Sequence, residues 1–176
     1  MTTKEKLLAL LEDSKGTFFS GEEIARTLQV SRAAVWKAVN ALREDGYTID
    51  AVTNKGYRLS PDSDILSPQG IRRFLKPEYR DLNLTVLPTV PSTNALVREK
   101  ANQGCPEGCV IIACEQTAGR GRYGRQFFSP ADTGVYLSLL LRPTAYSPQQ
   151  ATCLTAAAAA AMCQAIEAVT GQHPGI

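Results

Sequence analysis

Histidine is nearly missing from this sequence: His173 is the only one in 176 residues. No Ser/His/Asp or Cys/His nucleophile set can be assembled around it, and a His-containing zinc site has little to build on. The five cysteines (Cys105, Cys109, Cys114, Cys153, Cys163) form an odd count with no CxxC pair, so they read as reduced and mostly structural. Cys105, Cys109 and Cys114 are numerous enough to share a metal, but a strand expected through Val110–Ala113 argues against their convergence, and no metal ligand is assigned. A GxxxxGK[ST] motif is absent, which excludes a P-loop protein. No apolar run approaches the ~20 residues needed to span a bilayer; the longest, Thr155 to Met162, is alanine and too short. The start, Met1-Thr2-Thr3-Lys4-Glu5-Lys6, has no apolar signal region, so a cytoplasmic location and no membrane partner are expected. The net charge of only +2 excludes a globally basic nucleic-acid binder, leaving local patches for any such role. There is no internal repeat. What remains, 44% apolar and 20% charged residues, describes a soluble globular chain long enough for one domain, or for a small one plus part of another.

Residues 1–59 read as a small helical unit ending in a hairpin. Leu7, Leu8 and Leu11 give a first helix its apolar side. Ser20 caps a second helix, with Glu23 completing a capping box, and Ile24, Ala25 and Leu28 form its inner face. After the turn Gln29-Val30-Ser31, Ser31 caps a third helix from Arg32 to about Asp45, stopped at Gly46. Val35, Ala38, Val39 and Leu42 share one side of it; Arg32, Ala33, Trp36, Lys37 and Asn40 face elsewhere. Helix, tight turn, helix, with a basic outer side on the second member, is the helix-turn-helix pattern. Tyr47–Val52 then alternates like a strand, Thr53-Asn54-Lys55-Gly56 is turn chemistry, and Tyr57-Arg58-Leu59 returns. The hairpin makes this a winged helix, with Lys55 and Arg58 where a wing meets DNA backbone. Arg32, Trp36, Lys37, Asn40, Lys55 and Arg58 are the candidate DNA contacts. The alternative is a protein-docking module. Between Arg32 and Arg58 five basic residues face three acidic ones, so a monomer would bind DNA weakly and dimerisation onto two half-sites is expected.

Ser60-Pro61-Asp62-Ser63-Asp64 is a polar break. Beyond it the reading predicts a helix at Pro68–Leu75, a strand at Leu82–Leu87, a helix at Thr93–Asn102, strands at Cys109–Glu115 and Gly134–Arg142, and a long helix over about Pro148–Val169. The class is α/β or α+β. Between two strands lies Gly119-Arg120-Gly121-Arg122-Tyr123-Gly124-Arg125. Neither helix nor strand favours that composition. An anion would use it, with glycines admitting a ligand close to the backbone and guanidiniums forking onto phosphate oxygens; such a loop is expected to be mobile until filled. A solvated surface loop or an RNA-contacting segment has the same composition. Ser92-Thr93-Asn94 opens a helix and reads either as a plain cap or as polar groups aimed at a ligand. Gln116, at a strand end, reads first as solvent-facing. Phe127, Phe128 and Tyr136 read as core packing or as a cover for a flat ligand.

Taken together these motifs resemble the biotin protein ligases, in the bifunctional form that also represses the biotin operon. Ser20-Gly21-Glu22, Ser31–Lys37 and Asn54-Lys55-Gly56-Tyr57 resemble that family's helix-turn-helix and wing. Ser92-Thr93-Asn94 is similar to its biotin-contacting STN motif. Gln116 and Gly119–Gly124, followed by Phe128-Ser129-Pro130, resemble its adenylate loop. The resemblance implies an α+β chain: a winged helix (residues 1–60), a linker (61–67), and the first part of a class II synthetase-like mixed-sheet catalytic domain (68–176). It implies biotin and ATP, with Mg²⁺, as reactants, and biotinyl-5′-AMP as intermediate. The partners implied are operator DNA, the biotin carboxyl carrier protein of acetyl-CoA carboxylase, and a second copy of the chain when repressing. Biotin would be held by Ser92, Thr93, Asn94, Gln116, Arg120, Gly121 and Arg122, with Arg120 and Arg122 in catalytic roles beside loop backbone N–H groups. A Lys-Trp-Pro-Asn-Asp motif of the family is expected where the chain reaches His173–Ile176, so the resemblance implies an incomplete ligase with an exposed sheet edge. Tyr123 stands where the family is often basic. A non-enzymatic DNA-binding regulator with a partial ligand site is the alternative.

Overall fold

Three helices and a hairpin build the N-terminal part from strong local signals. The computed structural model describes residues 1–144, 147, 150 and 153–175, and of Arg122 the backbone alone. Helix α1 (Thr3–Asp13) opens on a reciprocal cap: the Thr2 N–H donates to Glu5 Oε2 (2.8 Å) and the Glu5 N–H to Thr2 Oγ1 (3.2 Å). Helix α2 (Gly21–Leu28) starts at Ser20, whose Oγ accepts the Glu23 N–H (3.0 Å), the Ser20 half of the expected box. Gln29 turns left-handed (φ 54°) and ends it. Helix α3 (Arg32–Glu44) begins at Ser31, whose Oγ accepts from Ala34 N (3.2 Å). Leu7, Leu11, Ile24, Val35, Val39 and Leu42 meet in one core with Ile49 and Leu59. Each such side chain contributes about 1.5–3 kcal/mol by leaving water.

Strands β1 (Ile49–Val52) and β2 (Gly56–Leu59) pair antiparallel, Ile49 opposite Leu59 and Val52 opposite Gly56. Phe19 and Tyr57 exchange two backbone bonds of 2.8 Å, pressing the hairpin against the segment before α2. Gly56 lies under that contact at φ 94°, and a Cβ on it would stand 2.0 Å from the Phe19 carbonyl oxygen.

Helix α4 is shorter than its sequence suggests, Pro68–Arg72 rather than to Leu75. It is joined to α1 through Glu12, which is nearly buried. The Ser67 hydroxyl donates to Glu12 Oε1 (3.3 Å), while Arg73 Nη1 donates to the Glu12 carbonyl (2.6 Å) and lies 3.9 Å from its carboxylate. Strand β3 (Asn83–Val90) then runs parallel to β4 (Cys109–Gln116), connected by helix α5 (Thr93–Asn102). The strand passes the expected end at Leu87 because β3 is an edge, where Pro88 loses no ladder bond. Strand β5 (Tyr136–Leu139), shorter than the expected Gly134–Arg142, pairs antiparallel on the other side of β4. The sheet order is β3-β4-β5, with α5 against β4 and β5. Leu137 and Leu139 of β5 are about half exposed.

The chain forms two compact units, Met1–Leu140 and Leu141–Ile176, so the polar break near residue 60 falls inside the first. The second contains helix α6 (Cys153–Thr170). Its expected first turn, at 148–149 and 151–152, lies outside the described residues. Helix α6 corrects the measure of the apolar run: at 18 residues and mean hydropathy 1.4 it is, by length and composition alone, enough to cross a membrane, although much of that apolarity is alanine.

Candidate functional site

The end of β3, the start of α5, the end of β4 and β5 meet in one polar network. Ser92 leaves the strand with extended backbone and caps α5, its Oγ accepting from Ala95 N at 3.5 Å. Thr93 donates twice to Gln116 Oε1, from its N–H (2.8 Å) and its hydroxyl (3.1 Å). Thr93 Oγ1 also lies 2.9 Å from Ser138 Oγ on β5. With its own proton given to Gln116, it accepts the proton of Ser138. Gln116 Nε2 donates to Ser129 Oγ (3.0 Å), and the Ser129 hydroxyl donates to the Phe127 carbonyl (3.1 Å). The donors therefore run one way, from Ser138 through Thr93, Gln116 and Ser129 to the loop.

This network changes the reading of two residues. Gln116 is half-buried and held by the protein at both ends of its amide, not simply solvent-facing. Thr93 is almost fully buried, with its N–H and hydroxyl engaged within the chain. Ser138 carried no distinguishing sequence signal, and Ser129 stood out only within the Phe128-Ser129-Pro130 run of the resemblance; the meeting of β4, the loop and β5 gives both a role.

The Gly-Arg loop closes on itself. The Phe127 N–H donates to the Gly119 carbonyl (2.9 Å), the Gly121 N–H to the Arg125 carbonyl (2.8 Å), and Arg120 pairs with Gln126 in a bridge. Thr117 and Ala118 donate to the carbonyls of Val90 and Pro91, tying the loop to the end of β3. Gly119 is demanded by the chain itself, since a Cβ there would stand 2.4 Å from the Phe127 oxygen. Tyr123 is left-handed (φ 57°) and exposed. The Arg122 side chain, expected to hold biotin and act in catalysis, lies outside the described residues.

Two open cavities flank the network. One, of about 400 Å³, is lined by Ser92, Asn94, Ala95, Arg98, Arg120 and Gly121. The other, of about 460 Å³, includes Gln116, Gly119, Phe127 and Phe128 in its wall. The structure thus brings Ser92, Asn94, Arg120 and Gly121 together, puts Gln116 on a neighbouring surface, and buries Thr93 between them. Arg98, one turn beyond Asn94 on α5, is a lining residue that the motif spacing did not reveal.

On the winged helix a groove of about 700 Å³ runs between the start of α3 and the hairpin, with Arg32, Ala33, Trp36, Asn54 and Tyr57 in its lining. Lys37 is exposed and Asn40 half-buried on the same helix. Lys55 is exposed, its ammonium 5.9 Å from the Phe18 ring centre. Arg58 is more committed: its Nε donates to Asp50 Oδ2 (2.7 Å), and its guanidinium stacks 4.7 Å from the same ring.

Residues 3–58 match an HTH domain family, and residues 86–176 match the biotin/lipoate A/B protein ligase family. The chain belongs to the biotin/lipoate A/B protein ligase family. It is similar to proteins named bifunctional ligase/repressor BirA. To those of Bacillus spizizenii and Bacillus subtilis it is 41% identical over 170 residues, which cover 97% of this chain and 52% of each relative. To that of Escherichia coli it is 38% identical over 141 residues, 80% of this chain and 42% of the relative. The chain spans about half the length of the curated relatives it matches.

The ligase-family match begins within β3 and takes in Ser92, the network and the whole Gly-Arg loop. The HTH match ends within β2, so it takes in the groove and the wing. Among the described residues no three His, Cys, Asp or Glu side chains gather as metal ligands. Donor groups of Ser92, Asn94 and the arginines make the 400 Å³ cavity suited to anionic or polar organic groups.

Proposed function

We propose that this chain acts as a biotin protein ligase coupled to a biotin-responsive transcriptional repressor. In the first step the biotin carboxylate attacks the α-phosphate of ATP, forming biotinyl-5′-AMP and releasing pyrophosphate. In the second, a lysine amine of the biotin carboxyl carrier protein of acetyl-CoA carboxylase attacks the acyl carbon, giving an amide and AMP. No side-chain nucleophile is required, because positioning and charge stabilisation carry such chemistry. Ser92, Thr93, Asn94 and Gln116 would bind the polar ring of biotin, the bonds between Thr93 and Gln116 holding that wall rigid. Arg120, Gly121 and Arg122 would face the carboxylate and phosphate, Arg120 and Arg122 stabilising charge in the reaction. ATP would arrive as its Mg²⁺ complex. Residues 1–60 would bind operator DNA through Arg32, Trp36, Lys37, Asn40, Lys55 and Arg58, as a homodimer in the cytoplasm. Residues 61–67 would serve as linker and 68–176 as ligase domain.

The observation that carries this reading is the cavity joining Ser92 and Asn94 to Arg120 and Gly121, in a chain that also has a winged helix and shares 41% identity with ligase/repressors over nearly its whole length. The test is biotin-dependent ATP–pyrophosphate exchange by the 176-residue chain, alongside operator mobility shifts with and without biotin. Weak exchange, together with biotin-enhanced DNA binding, is expected. DNA binding without exchange would leave a non-enzymatic regulator, and exchange without DNA binding would make the winged helix a docking module.

A further inference from the structure

Arg98 stands four residues after Asn94 on α5, so helix geometry puts the two on one face. Both line the 400 Å³ cavity, and Arg120 reaches the same hollow from the loop. The cavity is thus walled, among the described residues, by two guanidinium-bearing residues from two separate elements, and by no acidic residue. Among the described residues neither Arg98 nor Arg120 has an ion-pair partner. The adjacent acid on the helix, Glu99, accepts from Gln103 Nε2 at 3.2 Å. The other polar groups of the wall are also able to donate: Ser92 Oγ already accepts the Ala95 N–H, which leaves its own proton available, and Asn94 carries an exposed amide. Two like charges facing one polar hollow repel each other, and an oxyanion between them turns that repulsion into attraction.

We propose that Arg98, with Arg120, binds the oxyanion of a reactant in this cavity. This deepens the proposed function and rests on it. The chemistry is shared by the carboxylate of biotin and the phosphoryl groups of ATP. Arg98 is exposed and comes from the helix while Arg120 comes from the loop, so the anion would be held by two separate elements. A guanidinium forks onto two oxygens where an ammonium makes a point contact, so lysine is only a partial replacement.

The test is calorimetric titration of the 176-residue chain and its Arg98→Ala and Arg98→Lys variants with biotin, with the uncharged primary amide of biotin, and with MgATP. Arg98→Ala is expected to weaken at least one of the two anions about fivefold or more, to leave the biotin amide unchanged, and to leave the thermal midpoint where it was. Arg98→Lys should fall between. Loss for biotin alone names the carboxylate as the anion, loss for MgATP alone names the phosphates, and loss for both makes the site common to them. Unchanged affinity for both anions overturns the proposal, as does an equal loss for the amide, which would mean altered shape and not lost charge. If the unaltered chain binds neither biotin nor MgATP, the proposed function falls and this inference with it.

Discussion

Arg120 and Arg58 are both arginines with an expected ligand role, yet their surroundings differ. Arg120 is exposed, lines a cavity and has no acidic partner among the described residues. Replacing it by alanine should weaken retention of biotinyl-5′-AMP by about tenfold or more, a charge-assisted contact being worth roughly 1.5–3 kcal/mol. Biotin itself should be affected less, because the lost contact is to the anionic end; competition binding with both ligands measures the difference, and equal losses would remove Arg120 from that role. Arg58 is tied to Asp50 and stacked on Phe18, so part of its charge is already answered within the wing. Lys37 is exposed on α3 and has no such tie among the described residues. Lys37→Ala should therefore weaken operator binding and lower the salt dependence of the affinity by about one unit of slope. Arg58→Ala should act mainly on the stability of the hairpin, by under about 1 kcal/mol given its partial exposure. Fluorescence anisotropy at several salt concentrations separates them; a larger slope change in the Arg58 variant would reverse the assignment.

Elements were legible wherever short-range chemistry decides them. Ser20, Ser31 and Ser92 each cap the helix that their spacing predicts, and Val35, Ala38, Val39 and Leu42 are all buried on α3. The Gly-Arg loop was legible as irregular and as a candidate site, but its glycines answer different demands than a ligand alone would make. Gly119 is kept from carrying a side chain by the Phe127 carbonyl, eight residues away, whereas Gly124 is favoured only by its left-handed backbone in otherwise open space. Likewise the side-chain partners of Gln116 come from α5 and the loop's far side, and no local pattern encodes such meetings. The glycines rank accordingly. Gly56→Ala combines φ 94° with a backbone oxygen 2.0 Å from the new Cβ, and should cost about 3 kcal/mol or more by displacing the wing from Phe19. Gly124→Ala, with φ 75° and nothing within 4 Å, should cost only about 1–2 kcal/mol. Urea midpoints of the two variants give the order, and a Gly124 variant as damaged as the Gly56 variant would show that the loop is more tightly packed than its open surroundings indicate.

Across the first compact unit, the connection between the winged helix and the segment leading to the sheet depends on a few polar groups around Glu12. Its carboxylate is nearly inaccessible, accepts from Ser67 at 3.3 Å and has Arg73 at 3.9 Å, while Arg73 also holds the Glu12 carbonyl. Gly70 fits here because a Cβ would stand 3.0 Å from both Glu12 Oε1 and Ser67 Oγ. Removing Arg73 leaves a buried carboxylate with one neutral donor, which should destabilise by about 1–3 kcal/mol after allowing for the arginine's own exposure. Tyr47 joins the same cluster. Burial raises its phenol above the ordinary 10.0, Glu12 and Asp45 raise it further, and a hydrogen bond with Ser67 acts in the opposite direction. A phenol whose folded pKa is raised contributes stability that is fully present below the unfolded value and is lost as pH climbs through the folded one. Alkaline titration of urea stability should therefore decline above pH 10, and Tyr47→Phe, which cannot ionise, should decline less over that range. Arg73→Ala leaves the Glu12 carboxylate less compensated, so its stability loss should already be present at neutral pH. If the wild type and Tyr47→Phe instead fall together at alkaline pH, the loss belongs to other groups and not to the junction between the winged helix and the sheet.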